Sequence, residues 1–112
     1  MAHQKASLDD VESVLPEDAG GMWFLKDALD TDELGFTVLE LEPGVSGKEH
    51  SHEGQEEVYY VVEGGVAVDV EDETVALDEG EALRIDPADT RQIVNGDEPS
   101  RLVLVSAPRD AD

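Results

Sequence analysis

The sequence predicts an all-β fold, a small antiparallel barrel or sandwich, and three observations support this prediction. From Met22 onward, apolar and polar residues mostly alternate with a period of two, as they do in strands with one buried face. Gly, Pro, Asn or Asp closes each short run, and these turn signals recur about 8 to 12 residues apart. No run after residue 35 has helical spacing. A chain of 112 residues, 39% of them hydrophobic, has the size of one compact domain.

The predicted elements divide the chain into an arm and a domain. Residues 1–21 are expected to form an N-terminal arm, of one or two helical turns or extended, that packs on the barrel or on a partner subunit. Ser7 stands three positions before Asp10 in a weak capping box, and Pro16 is a stop signal. Residues 22–112 form the single β domain. Its strands are predicted in the runs FTVLELEPG, KEHSH, EVYYVVEGG, VAVDVED, ETVALDEG, EALRIDP, RQIVNGDEP and SRLVLVSAP.

The chain is extremely acidic, with 29 acidic and 7 basic residues and a formal net charge of -22. Such self-repulsion opposes folding at ordinary salt, but at about 1 M salt the screening length falls to roughly 3 Å. We therefore interpret the acidity as adaptation to a high-salt cytoplasm, that is, as a halophilic trait. The alternative is an acidic surface for a basic partner or for cations. Nucleic acid and anionic membranes are poor partners because both require a basic face.

The lack of cysteine and the lack of long apolar runs limit the possible metal ligands and the expected location of the protein. The chain has no cysteine, so any metal must be bound by His, carboxylate, amide or water. No apolar run approaches the roughly 20 residues that cross a bilayer, and the N-terminus lacks the apolar block of a signal peptide. We expect a soluble cytoplasmic protein.

Two of the three histidines, His50 and His52, lie one residue apart. Alternate side chains of a strand point to one face, so the two imidazoles should share a face, about 6 to 7 Å apart, within reach of one metal ion. HEGQ then supplies a turn, and Glu57 opens the next run on the same face as Tyr59 and Val61. Two His and one carboxylate form a facial triad, which leaves coordination positions open. The alternative is a pair of solvent-facing histidines.

Residues 44–64 read G(x)5HxH(x)4E(x)6G, with Gly44, His50, His52, Glu57 and Gly64 in the fixed positions. This pattern resembles the first motif of the cupin superfamily. The acidic composition and the segments EEVYYVVEG and RLVLVSAPRD look like those of the short single-domain cupins of haloarchaea. The resemblance implies a small antiparallel β-barrel or jelly roll. It also implies one divalent transition metal (Fe, Mn, Ni, Co or Zn), held by two His, one Glu and a His from a second motif, and a homodimer.

The second cupin motif, typically G(x)5PxG(x)2H(x)3N, is only partly present. GEALRIDPADTRQIVN keeps Gly80, Pro87 and Asn95 but contains no histidine. Counting from Pro87 puts Gln92 at the ligand position, whereas counting back from Asn95 puts Arg91 there. Gln can bind a metal through its amide oxygen and Arg cannot, so Gln92 is the candidate fourth ligand, with a Gln that only faces the cavity as the alternative. Arg91 pointing inward would favour an anionic ligand beside the metal.

Three functional classes remain open at this point. The first is a metal-binding cupin-like protein that acts as a metal-dependent enzyme, of the dioxygenase or isomerase type that the resemblance implies, on a small organic substrate. The second is a non-catalytic module that binds a metal or a small ligand, and the third is a degenerate structural cupin without metal. A mostly apolar pocket would suit a small carbonyl, enol or aromatic compound. Its expected lining residues are Phe36, Tyr59, Val61, Leu83, Gln92 and Val103.

Overall fold

The computed structural model of the protein describes residues 3–110, so the first two residues of the predicted arm and the last two of the predicted domain lie outside the described residues. A single-turn 3₁₀ helix (Leu8–Asp10) comes first, and a four-residue helix α1 (Lys26–Leu29) joins the first two strands. No helix within residues 3–110 is long and apolar enough to cross a membrane. The strands are β1 (Gly20–Phe24), β2 (Gly35–Leu41), β3 (Glu56–Glu63), β4 (Gly65–Val70), β5 (Glu73–Asp78), β6 (Ala82–Ile85), β7 (Arg91–Asn95) and β8 (Ser100–Ala107).

The eight strands form two antiparallel sheets. One has five strands in the order β1-β2-β8-β3-β6, and the other has three in the order β5-β4-β7. All the strand pairings are antiparallel. The predicted all-β jelly-roll class is therefore confirmed.

Alternate side chains of the strands point into the space between the two sheets and fill it. In β2 every second residue from Gly35 is buried, and in β3 the buried residues are Tyr59 and Val61, while Glu56 and Tyr60 are exposed. This is the face assignment that the alternating pattern predicted for β3. The core is aliphatic apart from one tyrosine, as the scarcity of aromatic residues requires. It consists of Leu39, Leu41, Tyr59, Val61, Val66, Val68, Leu77, Ile85, Ile93, Leu102 and Leu104.

The long connection between β2 and β3 runs beside β7 and adds an irregular edge to the smaller sheet. Four backbone hydrogen bonds join it to that strand: Gly47 N to Ile93 O at 2.7 Å, His50 N to Arg91 O at 2.9 Å, Arg91 N to His50 O at 2.8 Å, and Asn95 N to Val45 O at 3.0 Å. These contacts give isolated bridges rather than the regular strand predicted for KEHSH. The connection nevertheless places His50 beside Arg91, the first residue of β7.

The turn between β3 and β4 packs closely against the start of β8. Gly64 has a φ of 82°, and a Cβ there would lie 2.5 Å from the Pro99 carbonyl oxygen. Next to it, the Ser100 hydroxyl donates to Asn95 Oδ1 at 2.7 Å, and the Asn95 amide donates to the carbonyl oxygen of Leu41 at 3.1 Å. Asn95 of the second motif therefore ties the ends of β2, β7 and β8 together.

The N-terminal segment lies against the body of the chain. The capping box predicted around Ser7 and Asp10 is present, with Ser7 N donating to Asp10 Oδ2 at 2.9 Å. Val14 N donates to Met22 O at 2.8 Å, and Leu15 packs on the core. The strand β1 begins at Gly20, just before the predicted boundary between arm and domain, which stays a prediction.

Candidate metal centre

Three potential ligand side chains converge at one end of the space between the sheets. The Nε2 atoms of His50 and His52 lie 3.7 Å and 3.5 Å from Glu57 Oε1, and the donor atoms of all three residues lie within 4.8 Å of one another. The two imidazole ring centres are 5.0 Å apart, somewhat closer than expected for a regular strand. The structure therefore brings together the two histidines and the glutamate that the sequence singled out.

Backbone bonds fix the position of each histidine. His50 is paired with Arg91 through two backbone hydrogen bonds, and its Nδ1 lies 2.9 Å from the carbonyl oxygen of Lys48, which leaves Nε2 facing Glu57. His52 N donates to the carbonyl oxygen of Pro87 at 2.8 Å. Both rings face Glu57, although the segment is not a regular strand.

Arg91 is the fourth residue of this group. Its side chain is 0% exposed, and its Nη1 donates to Glu57 Oε1 at 2.8 Å. The other guanidinium donors bond to carbonyl oxygens of the loop between β6 and β7: Nε to Asp89 at 2.9 Å, and Nη2 to Asp86 and to Pro87, the latter at 3.3 Å. Arg91 thus joins that loop to the Glu57 carboxylate.

Gln92, the candidate fourth ligand, lies elsewhere. Its side chain points to the opposite face of β7 from Arg91, and its Nε2 donates to the carbonyl oxygen of Gly47 at 2.9 Å. Successive residues of a strand face opposite sides, so only one of the two could point inward. Arg91, the residue given by the count back from Asn95, is the one whose side chain lies beside Glu57.

The charges at the site act on one another. The Glu57 carboxylate raises the pKa of His50, although partial burial opposes this effect. Burial alone would raise the pKa of Glu57, but its interactions with His50, His52, Tyr59 and Arg91 together hold that pKa below its usual value. Burial, followed by the Glu57 charge, raises the pKa of Tyr59, whose hydroxyl donates to Glu57 Oε1 at 3.1 Å. Glu57 is therefore ionised near neutral pH and Tyr59 protonated.

The arrangement fits a divalent transition metal. Ligand atoms about 2.1 Å from a metal lie about 3.0 Å apart in an octahedral arrangement and about 3.4 Å apart in a tetrahedral one. The separations of 3.5 Å and 3.7 Å between the histidine nitrogens and Glu57 Oε1 need to close by less than about 1 Å. Two imidazoles and one carboxylate suit Fe, Mn, Ni, Co or Zn.

Two cavities open onto this centre, and Met22, His50, Glu57 and Leu104 line both of them. The first, which we call the basic cavity, has a volume of about 260 Å³. Its further lining residues are Phe24, Lys26, Gly35, Phe36, Thr37, His52, Gln55, Ser106 and Arg109. The second, which we call the apolar cavity, has a volume of about 310 Å³. Its further lining residues are Leu15, Ala19, Leu39, Leu41, Val45, Ser46, Gly47, Lys48, Tyr59 and Ile93.

The expected pocket residues divide between cavity lining and core. Phe36 lines the basic cavity and Tyr59 lines the apolar cavity. Val61 is 0% exposed and belongs to the core, because its position on β3 lies further from the site than that of Tyr59. Leu83, Gln92 and Val103 line neither cavity.

Sequence reasoning missed two basic residues of the basic cavity, Lys26 and Arg109. They are 83 positions apart, and Lys26 Nζ lies 3.2 Å from the carbonyl oxygen of Arg109. The available signal in the sequence was the small number of basic residues. In a chain with 7 of them, two are rarely brought into one cavity by chance.

Comparisons with known proteins agree with this architecture. The Cupin domain family matches residues 37–106, from β2 to β8. The tetracenomycin polyketide synthase protein TcmJ of Streptomyces glaucescens is 37% identical over 71 residues, which are 62% of this chain and 48% of that protein. The alignment therefore spans about half the length of this relative.

Similar solved structures cover nearly the whole chain. TT1209 from Thermus thermophilus has a TM-score of 0.73 and 28% identity, over 94% of this chain and 97% of that one. The polyketide cyclase RemF from Streptomyces resistomycificus has a TM-score of 0.77 and 26% identity, over 96% of this chain and 80% of that one.

Proposed function

Because this chain belongs to the Cupin domain family, we propose that it binds one divalent transition metal through His50, His52 and Glu57 and acts on a small organic ligand at that ion. The observation that carries the proposal is the convergence of these three donor groups within 4.8 Å at the junction of two cavities. A metal on two His and one carboxylate supplies a Lewis acid with open coordination positions.

The residues of the chain have distinct roles in this proposal. His50 and His52 offer neutral Nε2 atoms, and Glu57 offers a charged oxygen held in place by Arg91 and by the Tyr59 hydroxyl. Aliphatic side chains around the apolar cavity keep bulk water from the inner side of the site. A dioxygenase or an isomerase of a small carbonyl, enol or aromatic compound is the reaction type that such a site supports.

Metal content tests the proposal. Protein purified in high salt, without chelator and without nickel affinity resin, should contain about one equivalent of a transition metal. Glu57→Ala should lose that metal, whereas Glu40→Ala, which changes a carboxylate on the outer face of β2, should keep it. An enzyme would lose turnover both with chelator and with Glu57→Ala. Wild-type protein that takes up no divalent transition ion would refute the proposal.

A non-catalytic metal- or ligand-binding module is the second candidate, and Arg91 favours it. A buried guanidinium occupies the position where cupins typically place another histidine ligand, so the metal would have three protein ligands rather than four. In that case a small ligand should raise the melting temperature of the metal-loaded protein while no turnover is found. A structural cupin without metal would show neither effect.

We also propose that two copies of the chain pair through the outer face of the five-stranded sheet. Trp23, Val38, Val103 and Tyr60 are successive neighbours across four strands and point away from the core. A continuous apolar row is unusual on so acidic a surface. Tyr60→Glu should yield a monomer in sedimentation velocity experiments, and Val14→Glu, at an exposed residue of the arm, should not. A wild-type monomer, or an undisturbed dimer of the Tyr60 variant, would contradict this pairing.

The acidity supports a further proposal, that this is a halophilic cupin of haloarchaeal type from a high-salt cytoplasm. Its 29 acidic residues repel one another unless salt screens them. Transfer from multimolar salt to about 0.1 M should lower the melting temperature of the protein. An unchanged melting temperature would mean that the acidity serves another purpose, such as a basic partner.

A further inference from the structure

The two cavities beside the candidate metal centre have a charge opposite to that of the whole chain. Among the acidic residues within 3–110, only Glu57 lines either cavity, whereas Lys26, Lys48 and Arg109 do so. Arg91 is buried directly beside Glu57. Four of the seven basic residues therefore surround the site. The clefts elsewhere on the described surface are bordered by several carboxylates each, as the composition would lead one to expect.

Glu57 does not offset this positive charge, because Arg91 already balances it. The guanidinium donates to Glu57 Oε1 at 2.8 Å with no solvent exposure, so the pair is neutral as a unit. Both histidines must be neutral to bind a metal. A divalent ion would therefore add two positive charges with no further carboxylate lining the cavities to balance them. Such a centre favours an anion in its open coordination positions.

The basic cavity has the size and the lining for a small organic anion. Its volume of about 260 Å³ lies just below the range of about 300 to 1,000 Å³ for drug-sized ligands. Phe36 supplies an apolar wall. Lys26 pairs with Asp110 at 3.4 Å, and Arg109 pairs with Asp27 at 2.7 Å and with Asp110 at 3.2 Å, but both aspartates are largely exposed. Lys26 is partly exposed as well, so it can exchange a solvent-side partner for a ligand.

We propose that the basic cavity binds a small carboxylate with an apolar or aromatic body, oriented with its carboxylate between the metal centre and Lys26, in preference to neutral analogues. This inference deepens the proposed function and rests on it for the metal. Arg91 acts as a positioning residue: it does not line the cavity, but it holds Glu57 and adds charge beside the metal.

Binding of benzoate and of neutral benzamide to cobalt-loaded protein tests the inference, with the salt concentration held constant. We expect benzoate to bind at least ten-fold more tightly than benzamide, and to shift the visible absorption of the bound cobalt. Lys26→Gln should reduce the preference for benzoate several-fold. Lys5→Gln removes the same charge from the arm, away from both cavities, and should leave the preference unchanged. Equal binding of the two compounds, or equal effects of the two lysine variants, would overturn the inference.

Arg91→Gln distinguishes charge from structural support. Glutamine keeps an amide N–H that can donate to the Glu57 carboxylate, so that ligand keeps a supporting hydrogen bond. Loss of the guanidinium charge should then tighten cobalt binding, because a repelling cation is gone, and should weaken benzoate binding to the loaded protein. A residue that only supports the fold would weaken both, and that result would overturn the role given to Arg91. If this variant does not fold, the comparison of Lys26→Gln with Lys5→Gln still decides the inference.

The two proposals fail in different ways. Wild-type protein that binds no cobalt would refute the proposed metal site and with it this inference. Cobalt binding without any preference for benzoate over benzamide would overturn the inference alone and leave the metal site standing.

Discussion

The ion pair between Glu57 and Arg91 should contribute strongly to the stability of the metal-free protein, and Glu57→Gln measures that contribution. The Arg91 side chain is 0% exposed and the Glu57 side chain 12% exposed. Removing one partner of a buried pair leaves an uncompensated charge and costs about 3 to 5 kcal/mol. Glutamine retains a carbonyl oxygen that can accept the hydrogen bond from Nη1. We therefore expect a loss at the lower end of this range, about 3 kcal/mol.

Denaturant unfolding in the presence of chelator, at constant high salt, provides the assay. Glu40→Gln is the matched control, because it removes the same charge from a pair with Arg101 in which both side chains are partly exposed. An exposed pair contributes about 1 kcal/mol or less. Both variants relieve the overall repulsion of the acidic chain equally. The difference between their unfolding free energies therefore measures the effect of burying the ion pair. A loss of about 3 kcal/mol corresponds to a fall of roughly 12 °C in melting temperature for a domain of this size.

Equal unfolding free energies for Glu57→Gln and Glu40→Gln would refute this reasoning. That result would mean that the carbonyl oxygens of Asp86, Pro87 and Asp89 stabilise the guanidinium without help from the carboxylate. The position of Glu57 would then depend on its neighbours in β3 alone, and Arg91 could not be the residue that holds it.

Two more predictions concern pH and backbone geometry. Because Glu57 raises the pKa of His50 above 6.5 in the folded state, the stabilisation from that interaction is complete below about pH 6.5 and is lost as the pH rises through the folded pKa. The melting temperature of the metal-free protein should therefore be lower at about pH 8 than at about pH 6. The melting temperature of the metal-loaded protein should instead be higher at pH 8, because imidazole binds a metal only when neutral. The same trend in both forms would contradict His ligation. Gly64→Ala should destabilise the protein by more than Gly44→Ala in thermal unfolding. Both glycines have positive φ, but only at Gly64 would a Cβ meet another atom, at 2.5 Å, so equal losses would exclude the clash as a cause.

Much of the candidate centre could be predicted from the sequence because its ligands lie close together along the chain. His50, His52 and Glu57 span eight positions, so alternation along extended backbone places the two imidazoles on one face and Glu57 follows them after a short turn. The prediction of a regular strand at KEHSH was inaccurate, since a single isolated bridge, between His50 and Arg91, forms there. The relation between the two rings was still close to the expected one, because side-chain alternation depends on extended φ and ψ rather than on a hydrogen-bonded ladder.

The choice between Arg91 and Gln92 depended on where the second motif is irregular, and the sequence does not show that. Counting back from Asn95 follows β7, a regular strand of five residues, and leads to Arg91, the residue beside Glu57. Counting from Pro87 crosses the loop before β7, where the guanidinium of Arg91 bonds to three carbonyl oxygens. The basic cavity was harder still, because Lys26 and Arg109 meet only once β1, β2 and β8 lie side by side.

High salt should affect the exposed and buried charges of this chain in different ways. At multimolar salt the screening length is a few ångströms or less, which weakens the repulsion among exposed carboxylates but acts little on a buried pair. The bond between Glu57 and Arg91 should therefore persist under the conditions in which the acidic surface is stable. Lys26 is partly exposed, so its attraction for an anion should weaken with salt. Carboxylate selectivity should therefore decrease as salt rises, and the part that depends little on salt comes from the buried part of the site, the metal with Arg91 behind Glu57.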